Sequence, residues 1–478
     1  MKGYKINEFL SLKFRDDETH IYVAGKWFMQ CSFVLLNIEK PKLEQYEDAE
    51  SIDEIIDRYS RAHEKSKDIL DPETEFFAHC SNLQAWADYD YDTRLLDMKL
   101  AFPLLKELTD AGDPIARKVF EEEIVFRYAS GYKPVMTYLE RRGYLKYLSF
   151  EGLEELFYRF EMQNIREFRL IKHKVKAIPK NIKRLSSLEI VNMGIGSLES
   201  IPSEISKLKN LKKLYLSSNN IKQLPEFIGD LTHLVELDLH NNEIEELPKS
   251  IGNLKQLEIL NLRGNKISVI PKNIGNLKNL KDFYAGGNPL ESLPDSFSNL
   301  TKLETLYLDN TRIRKIPEII TELESLKVLI LDANKIKKLT PLIKKITTLT
   351  RLDLYNNLLE TLPKELEDLS TLHLLNLNKN KIKIFPKVIL SLNSLIDLDL
   401  QKNYLKEIPE SICKLRKLSY INLRENQLII IPKCIFNLPN LKHIDIKKNP
   451  IQWNLPQNRS LGKVIYKAKK EGNINFWV

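Results

Sequence analysis

A proline returns every 23 residues, at positions 179, 202, 225, 248, 271, 294 and 317 and again at 363, 386, 409 and 432, each time after Leu, Ile or Phe. Counted back from each proline, the same spacing fixes an apolar frame: Leu211, Leu214, Leu216, Asn219, Ile221 and Leu224 precede Pro225. The pattern LxxLxLxxNxIxxLP begins at Ile165, completes twelve repeats at Asn440 and starts again at Leu441. Self-similarity at this period means stacked structural units, each too small to bury its own apolar side.

In the central LxL, alternate side chains point to opposite faces of a strand, so Leu214 and Leu216 turn inward while Lys213, Tyr215 and Ser217 face out. Stacking then predicts one long parallel sheet, a solenoid in which every coil is stable only against its neighbours. The asparagine column runs through 219, 242, 265, 288, 334, 357, 380, 403, 426 and 449. At that bend the backbone leaves the sheet ladder, and a buried Asn can both donate to and accept from the freed groups. His173 and Gly196 replace it in the first two coils and mark a degenerate start to the stack, while the internal Thr311 is expected to loosen the ladder locally. The proline suits the start of a short helix or turn on the opposite side, as at Pro248. Thr340-Pro341 shifts the proline by one residue, so that coil is expected to be irregular, as is the Asn454-Leu455-Pro456 coil.

The chain has 478 residues, 43% of them hydrophobic and 9% aromatic, enough for more than one structural unit. Cys31, Cys80, Cys413 and Cys434 show no CxxC spacing, and the N-terminus carries no apolar signal core, which together predict an intracellular, cytoplasmic setting. The stretch from Ile21 to Ile38 is broken by Lys26 and Gln30 and reads as strand rather than membrane span. The net charge of +8 conceals a split: residues 1–164 carry 22 Lys/Arg against 32 Asp/Glu, while 165–478 carry 51 against 33. The halves could attract each other or steer different ligands. The simpler reading is that lysines such as Lys249, Lys272, Lys364, Lys387 and Lys433 keep a long apolar stack soluble.

Residues 1–150 read as a small α+β domain. Phe9–Phe14 and His20–Ile38 form two or three antiparallel strands around Arg15-Asp-Asp-Glu, and Asp71-Pro72 and Asp113-Pro114 signal helix starts. Antiparallel helix pairs are expected between Leu100 and Leu148, and a capping helix over 151–164. The solenoid is expected over 165–456, in twelve to thirteen repeats, with a C-terminal cap over 457–478. Asp88, Asp90 and Asp92 alternate like a calcium loop, but Thr93 stands where such a loop needs glycine, so a solvated loop is the expectation. His79 beside Cys80 has no second ligand pair at metal spacing.

Function is expected on the exposed strand row. Its central column, from Arg169 through Tyr215, Asp238 and Tyr284 to Asp445, contains no lysine. Phosphates need Lys or Arg where they rest, so the column argues against nucleic acid there, and a basic repeat surface binding nucleic acid is the rival reading. Tyr284, Tyr307, Val328, Ile330 and Tyr355 fall in consecutive coils beside Asp309, Asp332, Asp353 and Arg351, a cluster of apolar groups ringed by charge that suits protein recognition. The alternative is that the tyrosines only stack on one another and stabilise the sheet. No Walker loop, GxSxG, HExxH or paired CxxC is present, so no catalytic group, metal or cofactor is assigned. An unrecognised enzyme within 1–164 would draw on His20, His63, His79 or Cys80, none of them distinguished by spacing.

Segments such as LKKLYLSSNNIKQLPEFIGDL and LEILNLRGNKISVIPKNIGNL resemble the 23-residue leucine-rich repeats of the animal scaffold that binds Ras and of plant intracellular Ras-group proteins. The resemblance implies an α/β leucine-rich-repeat solenoid, with a parallel β-sheet on its concave face and short helices or turns on the convex face. It also implies a non-enzymatic signalling scaffold with a small GTPase as first partner to test. The blocks HIYVAGKWFMQCSFVLLNI and FFAHCSNLQAWADYDYDTRLL resemble N-terminal regions of unknown function joined to such repeats in archaeal proteins.

Overall fold

The computed structural model describes residues 2–30, 71–96, 98–159, 165–452, 455 and 475–477. The chain divides into two units, Met1–Arg159 and Phe160–Val478.

The first unit opens with a four-stranded antiparallel sheet, β1 (Lys2–Lys5), β2 (Leu10–Arg15), β3 (Glu18–Val23) and β4 (Lys26–Gln30), in sequential order. Asp16 (φ 55°) and Asp17 (φ 60°) both take the left-handed conformation, which matches the twist of the hairpin they close between β2 and β3. Residues 31–38 of the expected strand region lie outside the described residues. The helices start where the aspartates predict: Asp71 caps α1 (Pro72–Asp88), and Asp113 caps the later helix Pro114–Ala129. In each, the aspartate accepts from two first-turn amides and proline takes the first turn, where no amide bond is lost. The remaining helices are α2 (Met98–Ala111), α3 (Pro114–Ala129), α4 (Lys133–Arg141) and α5 (Phe150–Arg159). Helix α5 buries Leu153, Leu156 and Phe157 and groups with the head. A Cβ at Gly152 would displace the Glu121 carboxylate of α3, which accepts from Ser149 N (2.6 Å). His79 and Cys80 are buried on α1, and burial pushes the Cys80 thiol up to about 11.

The second unit carries one parallel sheet of three-residue strands. These are β5 (Glu167–Arg169), β6 (Ile190–Asn192), β7 (Lys213–Tyr215), β8 (Glu236–Asp238), β9 (Ile259–Asn261), β10 (Asp282–Tyr284) and β11 (Thr305–Tyr307). They continue as β12 (Val328–Ile330), β13 (Arg351–Asp353), β14 (Leu374–Asn376), β15 (Asp397–Asp399), β16 (Tyr420–Asn422) and β17 (His443–Asp445), with β18 (Asn475–Trp477) beside β17. Every consecutive pair from β5 to β17 is in register at the 23-residue spacing, as Phe283 is with Leu306. The middle residue of each, such as Leu214, Leu237 or Leu398, is fully buried. Burying one such leucine contributes about 1.5–3 kcal/mol, and only the neighbouring coil supplies the cover. On the opposite side a five-residue 3-10 helix follows each proline, as in Lys249–Asn253.

The asparagine column forms a continuous hydrogen-bond ladder. Asn265 Nδ2 donates to Leu239 O of the preceding coil (3.0 Å) and to Leu262 O of its own (2.9 Å), while its Oδ1 accepts from Ile244 N (3.0 Å). Asn219 through Asn449 repeat this geometry except where Thr311 intervenes. Thr311 Oγ1 lies 3.2 Å from Leu308 O and 2.8 Å from Asn334 Oδ1, so a single hydroxyl serves its own coil and the next but not the preceding one.

Two expectations need correction. The Thr340-Pro341 coil is regular: Thr340 takes the slot that proline holds elsewhere, its hydroxyl accepts from Leu342 N (3.2 Å), and the helix Pro341–Lys345 keeps the usual length. The second concerns the cysteines: without CxxC spacing, Cys413 and Cys434 still form a disulfide, with a Cα–Cα distance of 5.9 Å, between the helices of adjacent coils. A reducing, cytoplasmic setting therefore no longer follows from these cysteines. Among the described residues no helix is long and apolar enough to cross a membrane. Asn454 and Pro456 of the last expected coil lie outside the described residues.

Candidate functional site

Each strand turns its first and third residues to the outer face, and the residue two further on extends that row past the strand end. Register therefore sets Tyr284, Tyr307, Ile330 and Asp353 side by side, with Val328 beside Arg351 in the flanking column. Asp309, Asp332 and Tyr355 follow their strands at the same offset. All nine predicted residues thus share one face of β10 to β13.

Their exposure differs from the expected ring of open groups. Ile330 is only 4% exposed, Asp353 4% and Asp309 8%, and the other six are half-buried. Strands about 4.8 Å apart bring side chains on both flanks over each outward residue, so facing outward is not the same as meeting water. Tyr284 and Tyr307 pack with ring centroids 5.0 Å apart. The stacking reading of these tyrosines is therefore part of the structure.

Charge is organised more tightly than the sequence suggested. Arg263 Nη2 donates to Asp309 Oδ2 (2.7 Å) from two coils away. The side chains meet above Gly286, where a Cβ would collide with the Asp309 carboxylate. Tyr355 N donates to both Asp332 Oδ1 (3.1 Å) and Asp353 Oδ1 (3.3 Å), and Arg351 Nη2 donates to Asp353 Oδ2 (3.3 Å). Burial, then the hydrogen-bonded Asp353 carboxyl, push Asp332 up to about 8. Burial and the Asp399 charge push Asp397 up to about 6, and burial also raises Asp399 despite bonds from Gln401, Asn422 and Asn378. Sequence reasoning missed Arg263, Gly286, Asp397 and Asn378 as parts of this face. For Arg263, Gly286 and Asn378 the signal is the column two residues past each strand, and for Asp397 it is the first strand position of β15.

The titration carries a sign. Folded Asp332 binds its proton more tightly than the unfolded chain, where a carboxyl titrates near about 4, so stability falls as pH rises from there towards 8. Asp332→Asn removes this contribution. Urea unfolding of both proteins between pH 4 and 9 is expected to show a shallower decline for the variant, and parallel curves would refute the assignment.

The structure of a leucine-rich-repeat protein from Leptospira interrogans matches this one with a TM-score of 0.59 at 34% identity, covering 69% of this chain and 88% of that one. The chain belongs to the leucine-rich-repeat family. The family described as Leucine rich repeat matches residues 183–244 and 393–451, Leucine-rich repeat region matches 226–308, and Leucine Rich repeats (2 copies) matches 301–344. An internalin from Listeria monocytogenes shares the fold at 24% identity and a TM-score of 0.57, covering 68% of this leucine-rich-repeat chain and 88% of its own. A TDR receptor shares it at 25% identity and a TM-score of 0.59, covering 69% of this chain and 58% of the receptor. A search of curated proteins finds no match.

Proposed function

We propose that this leucine-rich-repeat protein is a non-enzymatic scaffold that binds a protein partner on the outer face of β10 to β13. The observation that carries the reading is the stacked Tyr284–Tyr307 pair at the edge of a buried apolar and acidic row. Ordered aromatics beside desolvated charge are the composition of interaction hot spots. Such proteins generally bind other proteins, and the repeat resemblance makes a small GTPase the first partner to test. Carboxylates on this face repel phosphate, which weighs against the nucleic-acid reading.

The test uses the full chain. A GTPase or other partner purified to homogeneity is titrated against wild type and against the Tyr284→Ala/Tyr307→Ala double variant. Loss of two packed aromatics at a hot spot is expected to weaken binding by tenfold or more. Equal affinities, with the variant shown to be folded by circular dichroism, would place the binding surface elsewhere.

A further inference from the structure

We propose that Arg312, Arg314, Lys315, Lys335, Lys337 and Lys338 form a cationic patch on the flank of the coils that carry β11 and β12, and that it takes a short glutamate- or aspartate-rich segment of the partner. The inference rests on the strand-face reading above for where the partner sits, and it adds the chemistry of one of the partner's segments.

Each triplet follows the bend of its coil, after Thr311 and after Asn334. Ile313 and Ile336 are fully buried, so the alternating backbone turns Arg312, Arg314, Lys335 and Lys337 away from the core, while Lys315 and Lys338 precede the buried Ile316 and Leu339. Backbone bonds between coils, such as Arg312 N to Leu290 O (2.8 Å) and Leu358 N to Ile336 O (2.9 Å), set the flank segments side by side. All six cationic residues are exposed.

The fold does not ask for cations here. The same three slots hold Glu243, Glu245 and Glu246 in one coil and Leu358, Glu360 and Thr361 in another. Flank lysines elsewhere are matched across coils, Lys176 with Glu199 (2.9 Å) and Lys266 with Glu243 (2.8 Å). Among the described residues none of the six forms a salt bridge. Solubility is served by interspersed charges of both signs, whereas six like charges on two adjacent coils repel one another until an anion joins them.

The patch is small and enclosed. An extended chain rises about 3.3 Å per residue and strands lie about 4.8 Å apart, so the cations span about 10 Å along the coil and two coils across it. Glu291 and Glu360 hold the corresponding slots of the coils on either side, and Asp309 and Asp332 stand at the strand-face end. A nucleic-acid duplex carries one charge per about 1.7 Å of axis and would bring its phosphates over these carboxylates. Four residues of extended acidic chain running along the coil cover the patch and no more. Arg312 and Lys335 come three residues after Asp309 and Asp332, so a segment on the patch continues directly from a partner on the strand face.

The probe is a fluorescein-labelled heptapeptide with four successive glutamates at its centre, titrated by anisotropy against the full chain at 150 mM salt beside a counterpart with glutamines in their place. The glutamate peptide is expected to bind at least tenfold tighter than the glutamine peptide, and Arg312→Gln/Arg314→Gln/Lys335→Gln/Lys337→Gln to lose that preference. Lys249→Gln/Lys272→Gln/Lys364→Gln/Lys387→Gln removes the same charge from exposed positions on the helix side, one per coil, and is expected to keep it. Equal binding of the two peptides, an unaltered preference in the flank variant, or loss of the preference in both variants overturns the inference. An eight-residue oligothymidylate that binds tighter than the glutamate peptide, and weakens in the flank variant alone, also overturns it, because the patch would then read phosphate. Titrating the partner used for the tyrosine pair separates the two readings. If Tyr284→Ala/Tyr307→Ala weakens it and the flank variant does not, the strand face stands and the acidic segment fails. If the flank variant alone weakens it, the patch stands and the strand face fails, and if neither does, both fail.

Discussion

Asn380→Leu is expected to lower the unfolding free energy by about 3–5 kcal/mol, the largest effect of any single polar substitution in the solenoid. Asn380 is buried, its Nδ2 donates to Leu354 O (2.9 Å) and Leu377 O (3.0 Å), and its Oδ1 accepts from Leu359 N (3.0 Å). Leucine keeps the branched heavy-atom outline of asparagine, with bulkier ends, but leaves two carbonyls and one amide without partners, each worth about 1–3 kcal/mol when buried. Asp would be no substitute, since it restores the acceptor while setting a carboxylate against two carbonyl oxygens. The damage should be local, because a solenoid couples each coil only to its neighbours. Hydrogen exchange should therefore accelerate most around Leu354–Leu377, while amides near Leu214 keep their protection. A loss below about 1 kcal/mol in urea unfolding would show that water replaces the ladder without penalty.

The solenoid was legible because one period fixes everything in it. Once Pro225 and Leu214 are placed, the strand, the bend and the helix of each coil follow, and the buried asparagines confirm the frame at atomic distance. The head was legible at its helix starts, where Asp71 and Asp113 act through local hydrogen bonds. What escaped depends on neighbours rather than on the coil itself. Ile330, Asp309 and Asp353 face outward by alternation yet are covered by side chains from adjacent strands. The turn before each asparagine is left-handed at residues as unlike as Ser218 (φ 54°), Ala333 (φ 52°) and Glu425 (φ 55°), with glycine only at Gly264 and Gly287 among the regular coils. Stacking holds that strained turn in place, so composition there carries no signal. Cys413 and Cys434 are 21 residues apart, two short of the repeat, because they occupy different slots of adjacent helices. Asp309, Asp332 and Asp353 were visible as letters, but the burial that pushes Asp332 up to about 8 exists only when the strands are side by side.

The first two coils give the sharpest test of how the stack begins. Gly196 occupies the asparagine slot of its coil, and a Cβ there would overlap the imidazole of His173 from the coil before. His173 is buried, and burial lowers its pKa, so the neutral ring donates through Nε2 to Met193 O (3.2 Å). That carbonyl also accepts from Asn219 Nδ2 (2.8 Å), so the histidine ties the first coil into the ladder at the point where the second coil has no side chain to offer. Large and small are therefore paired across the two coils. Gly196→Ala is expected to cost about 3 kcal/mol through overpacking, since the added methyl overlaps the buried His173 ring, which must shift to admit it. His173→Ala alone should cost less than that, losing one hydrogen bond and leaving a void beside Gly196. In the double variant the added methyl enters space the ring has vacated, so the two losses should fall short of additive by about 1–2 kcal/mol in a double-mutant cycle. Strictly additive losses would mean that Gly196 is required for its backbone alone, and that the histidine fills its slot by accident of packing rather than as the first rung of the ladder.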